Sequence, residues 1–209
     1  MLAELTINGE LRKVLMQASK NGFFYVIDRL DGRLITAQNF VPQNWTTGID
    51  LATGRPVEAP KARYQEGVFV SVPSGLGGHS WQPMAFSPVT GLVYIPAQEI
   101  PLAYASMHPF AKTPGGWNTG VDWSANVLPD DAAGLKSIRA VLKGHLAAWD
   151  PVAQKEVWPK RVPGMAGCWQ ALADLSSQVT RRANSLHTRP TLAASFGLLI
   201  PASGLWRHR

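Results

Sequence analysis

The chain has 209 residues, of which 45% are hydrophobic, and it carries 19 glycines, 16 prolines and eight tryptophans. This composition is typical of a globular protein and favours a turn-rich all-β fold over a helical one. Cys168 is the single cysteine, which excludes an internal disulfide and a Cys-x-x-Cys-His haem site. No run approaches the roughly 18 apolar residues that a membrane helix needs.

The net charge of +6 is unevenly distributed along the chain. Residues 165–209 carry five arginines against Asp174, a balance of +4, whereas residues 1–164 carry 15 basic and 13 acidic side chains, a balance of +2. The basic character therefore belongs to the last segment. A nucleic-acid-binding arm is one hypothesis for that segment, and disorder is another.

The first elements are two strands joined by a corner. The stretch "LRKVLMQAS" and the aromatic, β-branched residues 23–27 both favour strands. Asp31-Gly32 is a hairpin turn signal, because glycine accepts a positive φ at little cost, and Leu34 begins a return strand. Lys20-Asn21-Gly22 is thus predicted to form a tight corner at the end of a sheet. A solvated turn charge is the plain interpretation of Lys20.

The remaining body continues in short elements separated by Gly, Pro, Asn and Asp. Residues 50–60 are predicted to be a loop, and residues 82–98 to be two strands around Thr90-Gly91. Residues 112–123 are a glycine-rich loop, and the only plausible helix lies around 130–140. Residues 144–164 again predict strand, turn and strand.

Three of these hairpins share one pattern. The stretches "YVIDRLDGRLI", "MAFSPVTGLVYI" and "AAWDPVAQKEVW" each have an apolar strand, Asp or Ser-Pro, a turn, and an apolar return strand. Repeats of this size indicate propeller blades, which are small sheets that bury their faces only against neighbouring sheets.

Four separated stretches give the pattern a specific resemblance: "RKVLMQASKNGFFYVIDRLDGRLI", "WQPMAFSPVTGLVYIPAQE", "PGGWNTGVD" and "LKGHLAAWDPVAQKEVW". In this order they resemble the quinoprotein alcohol dehydrogenases, the PQQ-dependent dehydrogenase family, from about Leu2 to Pro163. The resemblance implies an all-β fold in which residues 1–164 form a partial β-propeller of about three blades. It also implies an internal fragment of an eight-bladed propeller.

Members of this family oxidise alcohols by transferring a hydride to the ortho-quinone of PQQ, and they are periplasmic. The basic residue that opens the family stretch corresponding to "KNGFFYVIDR" donates to the quinone oxygens, so the resemblance implies that Lys20 contacts PQQ. A fixed cation there stabilises the negative charge that the ring gains on reduction. The strand-end corner predicted from the residues fits this role, because the cofactor lies over the propeller axis.

The stretch "GGHSWQPMAF" implies a second cofactor contact. The family usually has Asn-Trp where this chain has Ser80-Trp81, and that pair contacts the carboxylate region of PQQ. Trp81 matches, with packing between blades as the alternative role. Ser80 departs from the pattern, since a hydroxyl lacks the donor pair and some of the reach of an amide.

Other candidates receive structural interpretations. Trp149 and Trp158 are predicted to dock neighbouring blades. Asp122 is a tempting base, but the family does not place its base there. Three histidines show no metal-ligand spacing and are interpreted as loop or surface residues: His79, His108 and His145.

No catalytic or metal-binding residue is predicted in this chain. The family's catalytic aspartate and calcium ligands lie upstream of the stretch that begins at Met1, so we expect the chain to be inactive alone, with a small alcohol as substrate of the parent enzyme. Without a signal peptide the chain as given is expected in the cytoplasm. Open blade edges favour self-association. A non-enzymatic propeller interaction module and a nucleic-acid binder are the alternative functions.

Residues 165–209 do not follow the family pattern. Reverse translation of residues 178–202, read two nucleotides later, permits "GDAAGKFIAYEADTGGQLWSFDTG", which resembles the blade that the family has next. We therefore expect an irregular, out-of-frame tail, and the coding nucleotide sequence tests this expectation.

Overall fold

The structure is a computed structural model that describes residues 1–127 and 129–163, with the backbone alone for residues 158–163. The expectations for Trp158 as a docking side chain and for the tail at 165–209 lie outside the described residues. The strands are β1 (Leu2–Ile7), β2 (Glu10–Ala18), β3 (Phe23–Asp28), β4 (Leu34–Asn39), β5 (Thr46–Asp50), β6 (Arg55–Glu58), β7 (Phe69–Ser71), β8 (Ala85–Ser87), β9 (Leu92–Glu99), β10 (Leu102–Tyr104), β11 (Lys143–Asp150) and β12 (Lys155–Pro163).

A 3-10 helix (Trp123–Asn126) and one α-helix, α1 (Ala132–Val141), complete the elements seen in the described part of the chain. The helix lies where the sequence predicts one. Its first turn is capped by Asp131, whose carboxylate accepts a 2.7 Å hydrogen bond from the amide of Gly134. Among the described residues, no helix is long and apolar enough to cross a bilayer.

Strands β1 to β4 form a four-stranded antiparallel sheet in chain order, which we call sheet I. Strands β8, β9, β11 and β12 form a second antiparallel sheet, sheet II, in the order β12-β11-β9-β8. Each is a small meander that exposes two edges unless a neighbour covers them. Two complete sheets of this kind confirm the all-β, partial-propeller fold expected from the repeats.

Two further strand pairs are present: β5 with β6, which is a hairpin, and β7 with β10, which pair antiparallel although β8 and β9 of sheet II lie between them in the chain. The first pair corrects the prediction that residues 50–60 form a loop. Gly54 takes a φ of +69° and its amide bonds to the carbonyl of Asp50 at 2.7 Å, which turns the chain back on itself. The loop-like composition of this segment reflects full exposure of β6 rather than an absence of strand.

The three hairpins predicted from the repeat pattern are all present and turn in the same way. In each hairpin, the backbone carbonyl of the Asp or Ser accepts a hydrogen bond of 2.8 to 2.9 Å from the amide of the residue four positions later. That fourth residue has a positive φ in every case. The pairs are Asp28 with Gly32, Ser87 with Gly91, and Asp150 with Gln154. The β5–β6 hairpin repeats this geometry, so its Asp50–Gly54 spacing was a signal that the sequence analysis missed.

The core lies where sheet I packs on sheet II. Alternate residues of β2 and β3 are buried, as are most residues of β9 and β11. Phe24 of β3 and Trp149 of β11 meet with ring centroids 5.9 Å apart, and Trp149 is only 3% exposed. Trp149 therefore joins the two sheets, as expected for a docking tryptophan.

Candidate functional site

Lys20 lies on the corner that joins β2 to β3. The corner is closed by two backbone hydrogen bonds, from Ser19 N to Phe23 O at 3.0 Å and from Gly22 N to Ser19 O at 3.1 Å. Gly22 has a φ of +92°, a conformation that favours glycine. The side chain of Lys20 is exposed. The predicted strand-end position of Lys20 is therefore confirmed, although this position alone does not assign a ligand.

A second segment, the Gly77–Gln82 loop, packs directly on this corner. The amide of Gly78 donates to the carbonyl of Lys20 at 2.9 Å. A Cβ added at Gly77 would lie 2.7 Å from Cγ and 2.9 Å from Cα of Lys20. A Cβ at Gly78 would lie 2.6 Å from a methyl carbon of Val41. Only glycines allow this close approach of the two backbones.

Sheet II holds the loop from the other side. The backbone amide of Gln98 in β9 donates to the carbonyl of Gly78 at 2.8 Å, and its side-chain amide donates to the carbonyl of Gly77 at 3.0 Å. Just before the loop, the amide of Gly75 donates to the hydroxyl of Tyr104 at 2.7 Å. The loop is thus fixed between the Lys20 corner and β9.

His79 lies inside this loop and contacts both halves of the site. Its Nδ1 lies 3.1 Å from the carbonyl oxygen of Ala18, and its Nε2 lies 2.8 Å from the carbonyl oxygen of Gln82. The ring is 5% exposed. Burial lowers the pKa of His79, and the hydrogen bonds to Gln82 and Ala18 oppose this shift. The prediction that His79 is a loop or surface histidine is wrong about its surface position.

Ser80 and Trp81 follow His79 and face more open surroundings. Ser80 is half-buried, and the indole of Trp81 is 69% exposed. Trp81 is therefore not packed between sheet I and sheet II, and packing against a further blade of the family propeller stays the alternative to a cofactor contact. The next residue, Gln82, is buried, and its Oε1 finds no hydrogen-bond partner among the residues that the structure describes. A buried polar atom of this kind is normally satisfied by a partner, a water or a ligand.

The fold therefore brings an ammonium, a hydroxyl and an accessible indole to one region from two segments about 60 residues apart. An ammonium attracts anionic or electron-rich oxygens, and an indole offers a flat apolar face for stacking. Such a set can bind a flat aromatic ligand that carries negative charge. In the described part of the chain, no cluster of His, Cys, Asp and Glu could hold a metal ion.

The other candidates have structural roles. Asp122 caps the 3-10 helix by accepting a 2.9 Å hydrogen bond from the amide of Ser124, and hydrogen bonds from Ser124 lower its pKa. His108 is exposed, as predicted. His145 is buried on β11, so its interpretation as a surface histidine is wrong. Its ring nitrogens lie 3.9 Å from a carboxylate oxygen of Glu99 and 3.2 Å from one of Glu156.

Comparison with known proteins identifies the class to which this arrangement belongs. The chain is 49% identical to quinohemoprotein alcohol dehydrogenase ADH IIB of Pseudomonas putida over 162 residues, which cover 78% of this chain and 22% of that protein. It is 44% identical to the dehydrogenase subunit of an alcohol dehydrogenase (quinone) of Gluconacetobacter polyoxogenes over 161 residues, which cover 76% of this chain and 22% of that protein.

Structural comparison agrees. The structure of quinohemoprotein alcohol dehydrogenase ADHIIG from Pseudomonas putida superposes with a TM-score of 0.72 at 42% identity, covering 78% of this chain and 24% of that one. No family model matches the chain. The chain belongs, as a propeller segment, to the quinoprotein alcohol dehydrogenase family. It spans about 22% of the length of the curated relatives it matches.

Proposed function

We propose that this segment supplies one side of the PQQ site of an alcohol dehydrogenase. The observation that carries the proposal is the packing of the Gly77–Gln82 loop on the Lys20 corner, which brings Lys20 into the same region as Ser80 and Trp81. PQQ is a flat aromatic quinone with three carboxylates, and the donor set of this region fits such a group. The rest of the enzyme, its substrate site included, lies in parts of the family that this chain does not cover.

Bound PQQ would supply hydride acceptance from the alcohol. The contribution of Lys20 is a positive charge and hydrogen-bond donors next to the oxygens that become more negative. Hydrogen bonds hold the backbone on both sides of Lys20, which fixes the point from which its exposed, flexible side chain reaches the ligand. Lys20 would thereby stabilise the reduced form of PQQ more than the oxidised form.

Trp81 and Ser80 would orient the same ligand. The exposed indole offers a stacking surface, and the Ser80 hydroxyl can donate one hydrogen bond to a carboxylate. The buried Gln82 side chain beside them provides a polar group that a ligand or water can satisfy. Periplasmic placement of the parent enzyme, and the out-of-frame origin of residues 165–209, remain parts of this proposal.

Binding of PQQ to the 209-residue chain tests the proposal. The indole N–H signal of Trp81, assigned with Trp81→Phe, is followed by NMR as PQQ is added. We expect a saturable shift that Lys20→Ala weakens about tenfold or more, since a charge-assisted hydrogen bond contributes about 1.5–3 kcal/mol. Lys13→Ala is the control, because Lys13 is another exposed lysine of sheet I.

Equal weakening by Lys13→Ala would show that PQQ binds by charge alone. Absence of any Trp81 shift up to millimolar PQQ would favour the non-enzymatic interaction module. The nucleic-acid alternative has its own signature, a steep loss of DNA binding with salt that depends on the tail arginines.

A further inference from the structure

His79 contacts two carbonyl groups that belong to opposite halves of the site. Ala18 ends β2, two residues before Lys20, and Gln82 directly follows Trp81. The imidazole lies 3.1 Å from the first carbonyl and 2.8 Å from the second. One buried ring therefore spans the distance between the Lys20 corner and the Trp81 segment.

The number of hydrogen bonds that the His79 ring donates depends on its protonation state. A backbone carbonyl can only accept a hydrogen bond, and a neutral imidazole has one N–H to donate. The neutral ring therefore bonds one carbonyl and directs a lone pair at the other. The imidazolium has two N–H groups and can donate to both. The full bridge between the two halves thus needs the second proton.

Among the residues with described contacts to the His79 loop, Lys20 is the one that carries a charge. The segments with described contacts to the loop are the end of β2, the corner at Lys20 and Gly22, the pair Phe40–Val41, and Gln98 of β9. Of these residues only Lys20 carries a charge, and no carboxylate among them stabilises an imidazolium. Burial and the nearby Lys20 charge therefore favour the neutral ring, which makes half of the bridge, and a lower pH is needed to complete it.

We propose that His79 is a positioning residue for the cofactor site: its ring sets the distance between Lys20 and Trp81, and a second proton closes the bridge. Because His79 does not touch the ligand in this account, it acts through the backbone at Ala18 and Gln82. The inference depends on the proposed function only for the identity of the ligand, since the bridge itself exists without one.

The first experiment follows the two sides of the bridge by NMR in the unliganded 209-residue chain. The 15N shifts of the His79 ring, assigned with His79→Gln, report which nitrogens are protonated, and the Trp81 indole signal reports the other side. We expect one protonated ring nitrogen at pH 8, two at low pH, and a Trp81 shift with the same midpoint. A Trp81 signal that ignores the His79 titration would overturn the proposal.

The second experiment removes one contact at a time. The amide nitrogen of His79→Asn can replace Nδ1, and that of His79→Gln can replace Nε2, whereas His79→Ala replaces neither. At low pH, where the wild-type imidazolium donates to both carbonyls, we expect PQQ to bind roughly fivefold more weakly to each amide variant, from the loss of one of the two hydrogen bonds, and more weakly still to His79→Ala. His108→Gln, at an exposed histidine, should leave PQQ binding unchanged.

The outcomes separate the two proposals. If the wild-type chain does not bind PQQ, the proposed function fails, and the coupled titration of His79 and Trp81 still decides whether the bridge exists. Slow exchange of the Phe24 amide serves as the check that each variant is folded. If all three variants bind PQQ as the wild type does, His79 does not position the site.

Discussion

Gly77 and Lys20 approach so closely that no side chain fits between them: a Cβ on Gly77 would lie 2.7 Å from Cγ of Lys20 and 2.9 Å from its Cα. Lys20 lies in the connection from β2 to β3, and Gly77 lies 57 positions later in the connection from β7 to β8. Their contact therefore depends on tertiary packing and not on local chain geometry. This contact joins the Lys20 corner to the segment that carries Ser80 and Trp81.

Gly77→Ala is predicted to separate the two halves of the site. A residue at the Gly77 φ of +92° costs about 1–2 kcal/mol in any protein, and here the new methyl also collides with Lys20. Gly54→Ala is the matched control, because Gly54 has a φ of +69° and open space around it. We expect both variants to lose stability in urea unfolding, and only Gly77→Ala to weaken PQQ binding. Equal PQQ binding by the two variants would contradict the role of the contact.

Trp149→Ala is predicted to destabilise the segment by about 3–5 kcal/mol, because it empties the space between the two sheets opposite Phe24. Trp117→Ala provides the comparison, since Trp117 is 84% exposed, and its effect should stay within about 0.5 kcal/mol. Urea unfolding monitored by circular dichroism measures both. Similar midpoints for the two variants would show that Trp149 does not join the sheets.

The stability of the chain is predicted to depend on pH through His79. Its pKa in the folded chain is lowered below the ordinary value of 6.5, chiefly by burial, so the unfolded chain binds more protons in this range. Stability is therefore highest above pH 6.5 and falls as the pH drops from 6.5 through the lowered pKa. His79→Gln should remove this dependence, as measured by urea unfolding between pH 8 and 5. An unchanged slope in the variant would assign the dependence to other groups.

Ser80→Asn is predicted to strengthen PQQ binding. The family resemblance implies an asparagine at this position, whose amide has a donor pair and a longer reach than the Ser80 hydroxyl, and one added hydrogen bond to a carboxylate is worth roughly fivefold to tenfold in affinity. Ser80→Ala should weaken binding by a smaller factor. Titration of both variants with PQQ measures the two effects, and a weaker Ser80→Asn complex would mean that Ser80 does not face the ligand.

Much of the fold follows from local sequence signals. The hairpins at Asp28–Gly32, Ser87–Gly91 and Asp150–Gln154 combine an apolar strand with a residue that accepts a positive φ, so their turns and strands could be predicted. The Asp50–Gly54 hairpin carries the same spacing, but β6 is fully exposed and neither strand is an apolar run, so hydrophobic patterning does not mark it.

The site itself was only partly predictable. The position of Lys20 at a strand end follows from the residues around it, but its contact with Gly77 depends on how two sheets pack. His79 illustrates the limit, because its partner Ala18 lies 61 positions earlier in the chain. No periodicity or spacing near His79 predicts that its ring is buried or that it contacts two carbonyls. A short, glycine-rich stretch such as "GLGGHS" signals only that some backbone approaches closely.

We propose that Lys20, on the corner that packs against the loop carrying Ser80 and Trp81, stabilises the reduced cofactor in an alcohol dehydrogenase. The most direct measurement exchanges the matching segment of Pseudomonas putida ADH IIB for residues 2–163 of this chain and measures dye-linked alcohol oxidation. We expect the chimera to turn over with PQQ bound, Lys20→Ala in the chimera to lower kcat by about 100-fold, and Lys13→Ala to leave it unchanged. An unchanged kcat in Lys20→Ala, with PQQ still bound, would contradict the account.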